Sequence, residues 1–140
     1  MSQNAETLKG RFGKARVARL ATTSASGIPH LVPVVFALQD DVVVIAVDQK
    51  PKSTTDLKRI RNIRANSRVS LLADEYDDAD WSRLWWVRAD GSARVVTEGA
   101  QREEALAWLC AKYNQYRKAR PDGPVIWIDI TAVSGWSYTS

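Results

Sequence analysis

Gln39-Asp40-Asp41-Val42-Val43-Val44-Ile45-Ala46-Val47 decides the fold. Three polar residues turn the chain. The six that follow are all apolar and mostly β-branched, with no alternation, as in a strand covered on both faces. Working upstream, Ile28 to Leu38 reads as strand. Pro29 and Pro33 interrupt its donors, so it must be an edge strand or bulged. Ser24-Ala25-Ser26-Gly27 has turn chemistry, with Gly27 free to take positive φ. Before it, Ala15 to Thr23 forms a strand in which Ala18, Leu20 and Thr22 share one face and Arg19 and Ala21 the other. Ala5 to Lys14 reads as a short helix plugging one end of the core, with Leu8 and Phe12 four apart.

Downstream, Ser53 to Asn66 is helical, Arg68 to Asp74 is strand and Glu75 to Asp80 is an acidic loop. Leu84 to Arg88 and Ala93 to Thr97 are expected as two strands of a hairpin turning at Asp90-Gly91. Gln101 to Lys118 is expected as one long helix, with Ala105, Leu109, Tyr113 and Tyr116 near helical spacing. Pro121 to Pro124 stops it. Val125 to Ala132 is a strand with Ile126, Ile128 and Ile130 alternating, and the tail to Tyr138 extends it after a bend at Gly135. The expectation is a mainly β chain with flanking helices, about seven strands joined mostly by hairpins, hence an antiparallel barrel rather than a parallel α/β sheet.

A chain of 140 residues fits one domain, 1–140. The single cysteine, Cys110, excludes an intrachain disulfide framework, and it reads as packing. The polar start lacks a signal core, and no apolar run approaches the roughly 20 residues of a membrane span. A cytoplasmic location is the expectation. A net charge of +4 comes without a nucleic-acid reading motif, which leaves a small anionic ligand as the better partner. With one histidine, His30, and no cysteine pair, a conventional zinc site is not expected. No nucleophile motif supports a triad. The acidic loop lacks calcium-loop spacing and reads as solvated. Trp85 and Trp86 are adjacent, so one faces the core and the other a partner or a flat ligand.

The informative segment runs from Asp48 to Arg64. Ser53 and Asp56 form a capping-box pattern, which places a helix start just after Lys50 and Lys52. Leu57, Ile60 and Ile63 mark its buried stripe, and Lys58, Arg59, Arg61 and Arg64 point largely elsewhere. Amides at a helix start together with lysines make a phosphate site. The other reading is a solvated basic helix with an ordinary cap. His30 likewise either borders a ligand groove or is a strand residue satisfied by water or backbone.

Arg19-Leu20-Ala21-Thr22-Thr23 and Gly27-Ile28-Pro29-His30-Leu31-Val32-Pro33-Val34 resemble the opening hairpin of the pyridoxamine-phosphate-oxidase-like split β-barrels. Leu57-Lys58-Arg59-Ile60-Arg61-Asn62-Ile63 and Arg68-Val69-Ser70-Leu71-Leu72 resemble the family's helix-to-strand segment. Asp80-Trp81-Ser82, Leu84-Trp85-Trp86-Val87-Arg88, Trp127-Ile128-Asp129 and Gly135-Trp136-Ser137 resemble its actinobacterial branch assigned to coenzyme F420. The resemblance implies a six- to seven-stranded antiparallel split barrel, a homodimer with a cofactor groove at the interface, and an oxidoreductase that transfers hydride to a small unsaturated or quinone-like substrate. It implies F420 as cofactor, with FMN the alternative, or a protein that binds the cofactor without turnover. It places the phosphate against Lys50, Lys52, Lys58, Arg59 and Asn62. The ring system would lie along strand backbone near Thr22, His30, Pro33 and Val47, with a tryptophan of the other chain as a cap. No catalytic acid or base is assigned; Tyr138 and His30 are the two side chains that could serve.

Overall fold

The computed structural model describes residues 4–47 and 54–139. Elements run α1 (Ala5–Lys14), β1 (Ala18–Thr23), β2 (Pro29–Val34), β3 (Ala37–Gln39), β4 (Val42–Ala46), α2 (Thr54–Ala65), β5 (Arg68–Glu75), a 3₁₀ turn (Trp81–Arg83), β6 (Trp85–Val96), α3 (Ala100–Lys112), α4 (Asn114–Lys118) and β7 (Val125–Ser137). The strands form one antiparallel sheet in the order β2-β1-β5-β6-β7-β4-β3. The two end strands are consecutive in the chain, so the sheet curls back on itself as a split barrel.

Inward side chains of every layer fill the barrel, among them Leu20, Val34, Ile45, Leu71, Val87 and Ile128. Leu8 and Phe12 of α1 and Ile60 and Ile63 of α2 join the same cluster. A second cluster lies outside the barrel wall, where Val44 and Trp127 pack under Leu106 and Leu109 of α3. Strand β4 therefore has both faces covered, Val43 and Ile45 by one cluster and Val44 by the other, which accounts for its uninterrupted apolar run. β1 alternates as expected, with Ala18, Leu20 and Thr22 buried. Gly27 takes φ 86°, closing the β1–β2 turn.

Three element expectations are corrected. Asp90-Gly91 is no hairpin turn. β6 passes straight through it, pairing β5 on one side and β7 on the other, with a register shift at Asp90/Gly91. Glycine is required there because a Cβ would collide with the Asp129 carbonyl oxygen of β7. The stretch Ile28–Leu38 is two strands, because Val35-Phe36 turns inward and Phe36 is fully buried. Finally, the long helix breaks at Tyr113, which is extended at φ −117°, ψ 117°. The Tyr113 hydroxyl accepts from Phe36 N–H at 3.2 Å and lies 2.9 and 3.0 Å from the Arg16 and Phe36 carbonyl oxygens, to one of which it donates. Lys112 Nζ donates to Ala15 O at 2.7 Å and Phe36 O at 2.9 Å and sits over the Phe36 ring. The break thus clasps the end of α3 to the starts of β1 and β3.

Candidate functional site

Helix α2 lies against β1 and β6, with Ile60 and Ile63 buried. The same packing buries Asn62, whose Nδ2 donates to the Thr22 hydroxyl at 3.1 Å. A buried amide without such a partner would be costly, so this contact fixes how α2 sits on β1. Thr22 stands opposite His30 in the β1–β2 register. Three of the expected residues, Thr22, His30 and Asn62, are thereby brought together.

Lys58 and Arg59 stand close enough to act on His30. Burial holds the imidazole below its ordinary value, and repulsion from Lys58 and then Arg59 lowers it further. The His30 Nδ1 is buried with no hydrogen-bond partner among the described residues. Lys58 is exposed, whereas Arg59 is half-buried, and that burial pushes its guanidinium below the usual value while Tyr116 acts in the opposite sense. A guanidinium remains charged at neutral pH even so. A neutral imidazole beside two cations, one of them partly desolvated, suits an anion with acceptor oxygens.

The remaining expected residues sit elsewhere. Lys50 and Lys52, and the Ser53–Asp56 capping pattern, lie outside the described residues. Val47 is 1% exposed; its side chain belongs to the core and its N–H is bonded to Pro124 O, leaving little but main chain to meet a ligand. Pro33 is exposed on the opposite sheet face from His30, opposite Arg19 in register. Tyr138 is exposed and stacks edge-on against Trp136. Tyr116 was not anticipated at this site. Its helical spacing suggested core packing, and only the break at Tyr113 carries it toward Arg59.

The outer face of β2-β1-β5-β6-β7 carries exposed apolar side chains: Leu31, Leu72, Trp86 and Trp136. Trp86 is paired with Trp136 across β6 and β7, while Trp85 turns inward against the core. A shallow groove of about 560 Å³ runs over Leu31, Leu72 and Trp86 between Arg19 and Arg88. The acidic loop is internally paired, Arg83 bridging Glu75 and Asp77, and no group of three metal-ligating side chains occurs among the described residues. No described helix is long and apolar enough to cross a membrane.

Comparison with known proteins aligns residues 5–137 with the family described as pyridoxamine 5'-phosphate oxidase. The chain is 29% identical over 83 residues to a 5a,11a-dehydrotetracycline/5a,11a-dehydrooxytetracycline reductase of Streptomyces rimosus, a match covering 59% of this chain and 57% of that protein. The chain thus spans little more than half the length of that relative. A FAD-binding protein of Mesorhizobium loti superposes with a TM-score of 0.73 at 24% identity, covering 96% of this chain and 95% of that one. A FAD-binding protein of Mycobacterium smegmatis gives 0.66 at 20% identity over the whole of both chains. At these identities the structural matches establish the fold.

Proposed function

Because the chain belongs to the pyridoxamine 5'-phosphate oxidase family, we propose that it is an oxidoreductase that holds a flavin-type cofactor, coenzyme F420, by the phosphate at α2, and reduces a small unsaturated or quinone-like substrate. The observation that carries this reading is the presence of Lys58 and Arg59 within electrostatic reach of His30, whose buried Nδ1 has no hydrogen-bond partner among the described residues, beside the buried Thr22–Asn62 pair. These residues fit an anionic tail: two cations, a neutral donor or acceptor, and a rigid floor. The Streptomyces relative, a reductase by name, supports reduction as the direction, and the FAD-binding neighbours support a flavin-type ring.

When bound, such a cofactor supplies hydride transfer, which needs donor and acceptor about 3–3.5 Å apart. The chain's part is to bind, orient and shield. Arg59 and Lys58 hold the phosphate, with Lys50 and Lys52 assigned to it from sequence. Asn62 keeps α2 fixed on β1 through Thr22. Backbone along Thr22 and His30 supports the ring. We assign the apolar outer face to a second copy of the chain, whose Trp86–Trp136 pair covers the ring and excludes water. Arg19 with Asp74 and Arg88 with Asp90 supply both charge signs on that face, as a two-fold contact requires.

Titration of the purified protein with F420, FMN and FAD, followed by cofactor fluorescence, tests the reading. Saturable F420 binding at micromolar protein, at least about tenfold tighter than either flavin, is expected. Tighter FMN binding would transfer the assignment to FMN, and no saturable change with any of the three would remove it. Arg59→Ala should weaken binding by about 1–3 kcal/mol, the loss of one charge-assisted contact.

A further inference from the structure

The ladder between β1 and β5 ends at Ala21↔Ser70, although β1 runs on to Thr23 and β5 begins as early as Arg68. A cavity of about 720 Å³ opens where the two strands part, over the outer face of β5 and β6. Its floor is the irregular part of the sheet. β6 and β7 change register there, pairing Asp90 with Ala132 and Gly91 with Ile130, so Thr131 is an extra residue in β7. Such bulges re-aim side chains and recur beside binding sites. Gly91 offers only main chain to the cavity, and Thr131 turns its hydroxyl back to the Asp90 carbonyl oxygen at 3.2 Å.

Hydrogen bonding gives the cavity its polarity. The charged acceptor in the lining, the Asp90 carboxylate, is already engaged: Ser70 Oγ donates to it at 2.7 Å and Arg88 Nε lies 3.2 Å away. Ser70 and Thr131 have thereby spent their protons. Ser67 Oγ and Ser92 Oγ are joined by one hydrogen bond of 3.2 Å, which leaves the other hydroxyl proton of that pair for a ligand. Thr23 adds a hydroxyl, and the exposed Arg68 a guanidinium, which donates and never accepts. Donors left over beside an acceptor already taken suit an oxygen-rich anion.

Position narrows the occupant further. Successive residues of a strand face opposite ways, so Thr22 meets Asn62 of α2 while Thr23 lines this cavity. The main chain assigned to the cofactor ring therefore borders the cavity. Ala21 and Ser70 also line the shallow groove over Leu31, Leu72 and Trp86. Cavity and groove form one trough, donor-rich at one end and apolar at the other.

We infer that this trough is the substrate site, and that the substrate is a flat quinone or enone carrying an oxyanion, seated with that oxyanion against Arg68, Ser67 and Thr23 and with its apolar edge toward Leu72. Its role as a substrate site rests on the reductase reading, whereas the preference for an oxyanion rests on the cavity alone.

The probe is lawsone, a hydroxynaphthoquinone that is an enolate at neutral pH, titrated by calorimetry into the full chain without and with saturating F420, beside its uncharged methyl ether. Saturable lawsone binding is expected, at least about tenfold tighter than that of the ether. Arg68→Gln should erase that margin and leave the ether unchanged. Ser67→Ala should weaken lawsone severalfold. Both positions are exposed, so neither variant should shift the melting temperature. Amide signals of residues 67–70 and 90–92 should move on addition of lawsone. Arg68→Gln should also keep the parent affinity for F420, whose phosphate is assigned to α2. No saturable binding in either state, equal affinity for the ether, or full lawsone affinity in Arg68→Gln would each overturn the inference. So would a loss of F420 affinity in Arg68→Gln, which would make the cavity part of the cofactor site. Lawsone binding by a protein that takes up none of F420, FMN and FAD would uphold the oxyanion site and remove only its role in reduction.

Discussion

His30 concentrates the electrostatics of the site in one titration. Its folded value is depressed by burial and by Lys58 and Arg59, so the neutral imidazole is favoured in the fold. The stability this gives is complete above about pH 6.5, the unfolded value, and is lost as pH falls from there toward the folded value. Urea denaturation across pH 7 to 5 should show that loss, and His30→Gln should flatten it. As His30 is the sole histidine, one imidazole signal in an NMR titration reads its pKa directly. Adding the cofactor, or inorganic phosphate, should raise that pKa, because an anion reverses the local repulsion; a fall would place the anion elsewhere. Thr22→Val leaves the buried Asn62 amide without its acceptor and should cost about 1–3 kcal/mol in the cofactor-free protein. Thr22, His30 and Asn62 could each be named as candidates through the family pattern. Their link could not be read, since Asn62 meets Thr22 from forty positions away and no local period records it.

Among the elements, alternation and turn chemistry were enough for α1, β1, β4 and β5, whose boundaries fall within a few residues of those read from the sequence. They failed where tertiary contacts override a local signal. Asp90-Gly91 carries hairpin chemistry, yet the glycine is there to let β7 approach. Gly91→Ala should accordingly cost about 1–3 kcal/mol by overpacking against the Asp129 backbone, read as a lower urea midpoint at unchanged m-value. No helical spacing foretells the break at Tyr113, because its cause is the Phe36 backbone, which the Tyr113 hydroxyl and Lys112 satisfy from another layer. Burial, aided by Arg16, pushes the Lys112 ammonium down to about 8. Replacing it by methionine keeps the volume but strips two carbonyls of a donor. Lys112→Met should therefore lower stability by about 1–3 kcal/mol without altering cofactor affinity.

At the scale of the molecule, the barrel could be read from strand count and hairpin spacing, and the seven strands among the described residues match the expected number through two compensating errors. One expected strand divides into β2 and β3, and two expected strands merge into β6. The outer face could be foreseen only in part, from the adjacency of Trp85 and Trp86. If that face joins two copies as proposed, Leu31→Glu should convert the species seen by sedimentation velocity from dimer to monomer, because it places a charge on a 67% exposed apolar position. A cofactor titration on the same variant should then lose affinity, the groove having lost its second wall. The order of the sheet carries a further consequence, for biosynthesis. β7 is the last of the described strands in chain order, and it completes both β4, some 87 residues upstream at Val42↔Asp129, and β6. A nascent chain in which Val125 is still held by the ribosome displays the unpaired flanks of β4 and β6, so closure of the sheet must wait for the release of β7, and such intermediates are natural clients for chaperones.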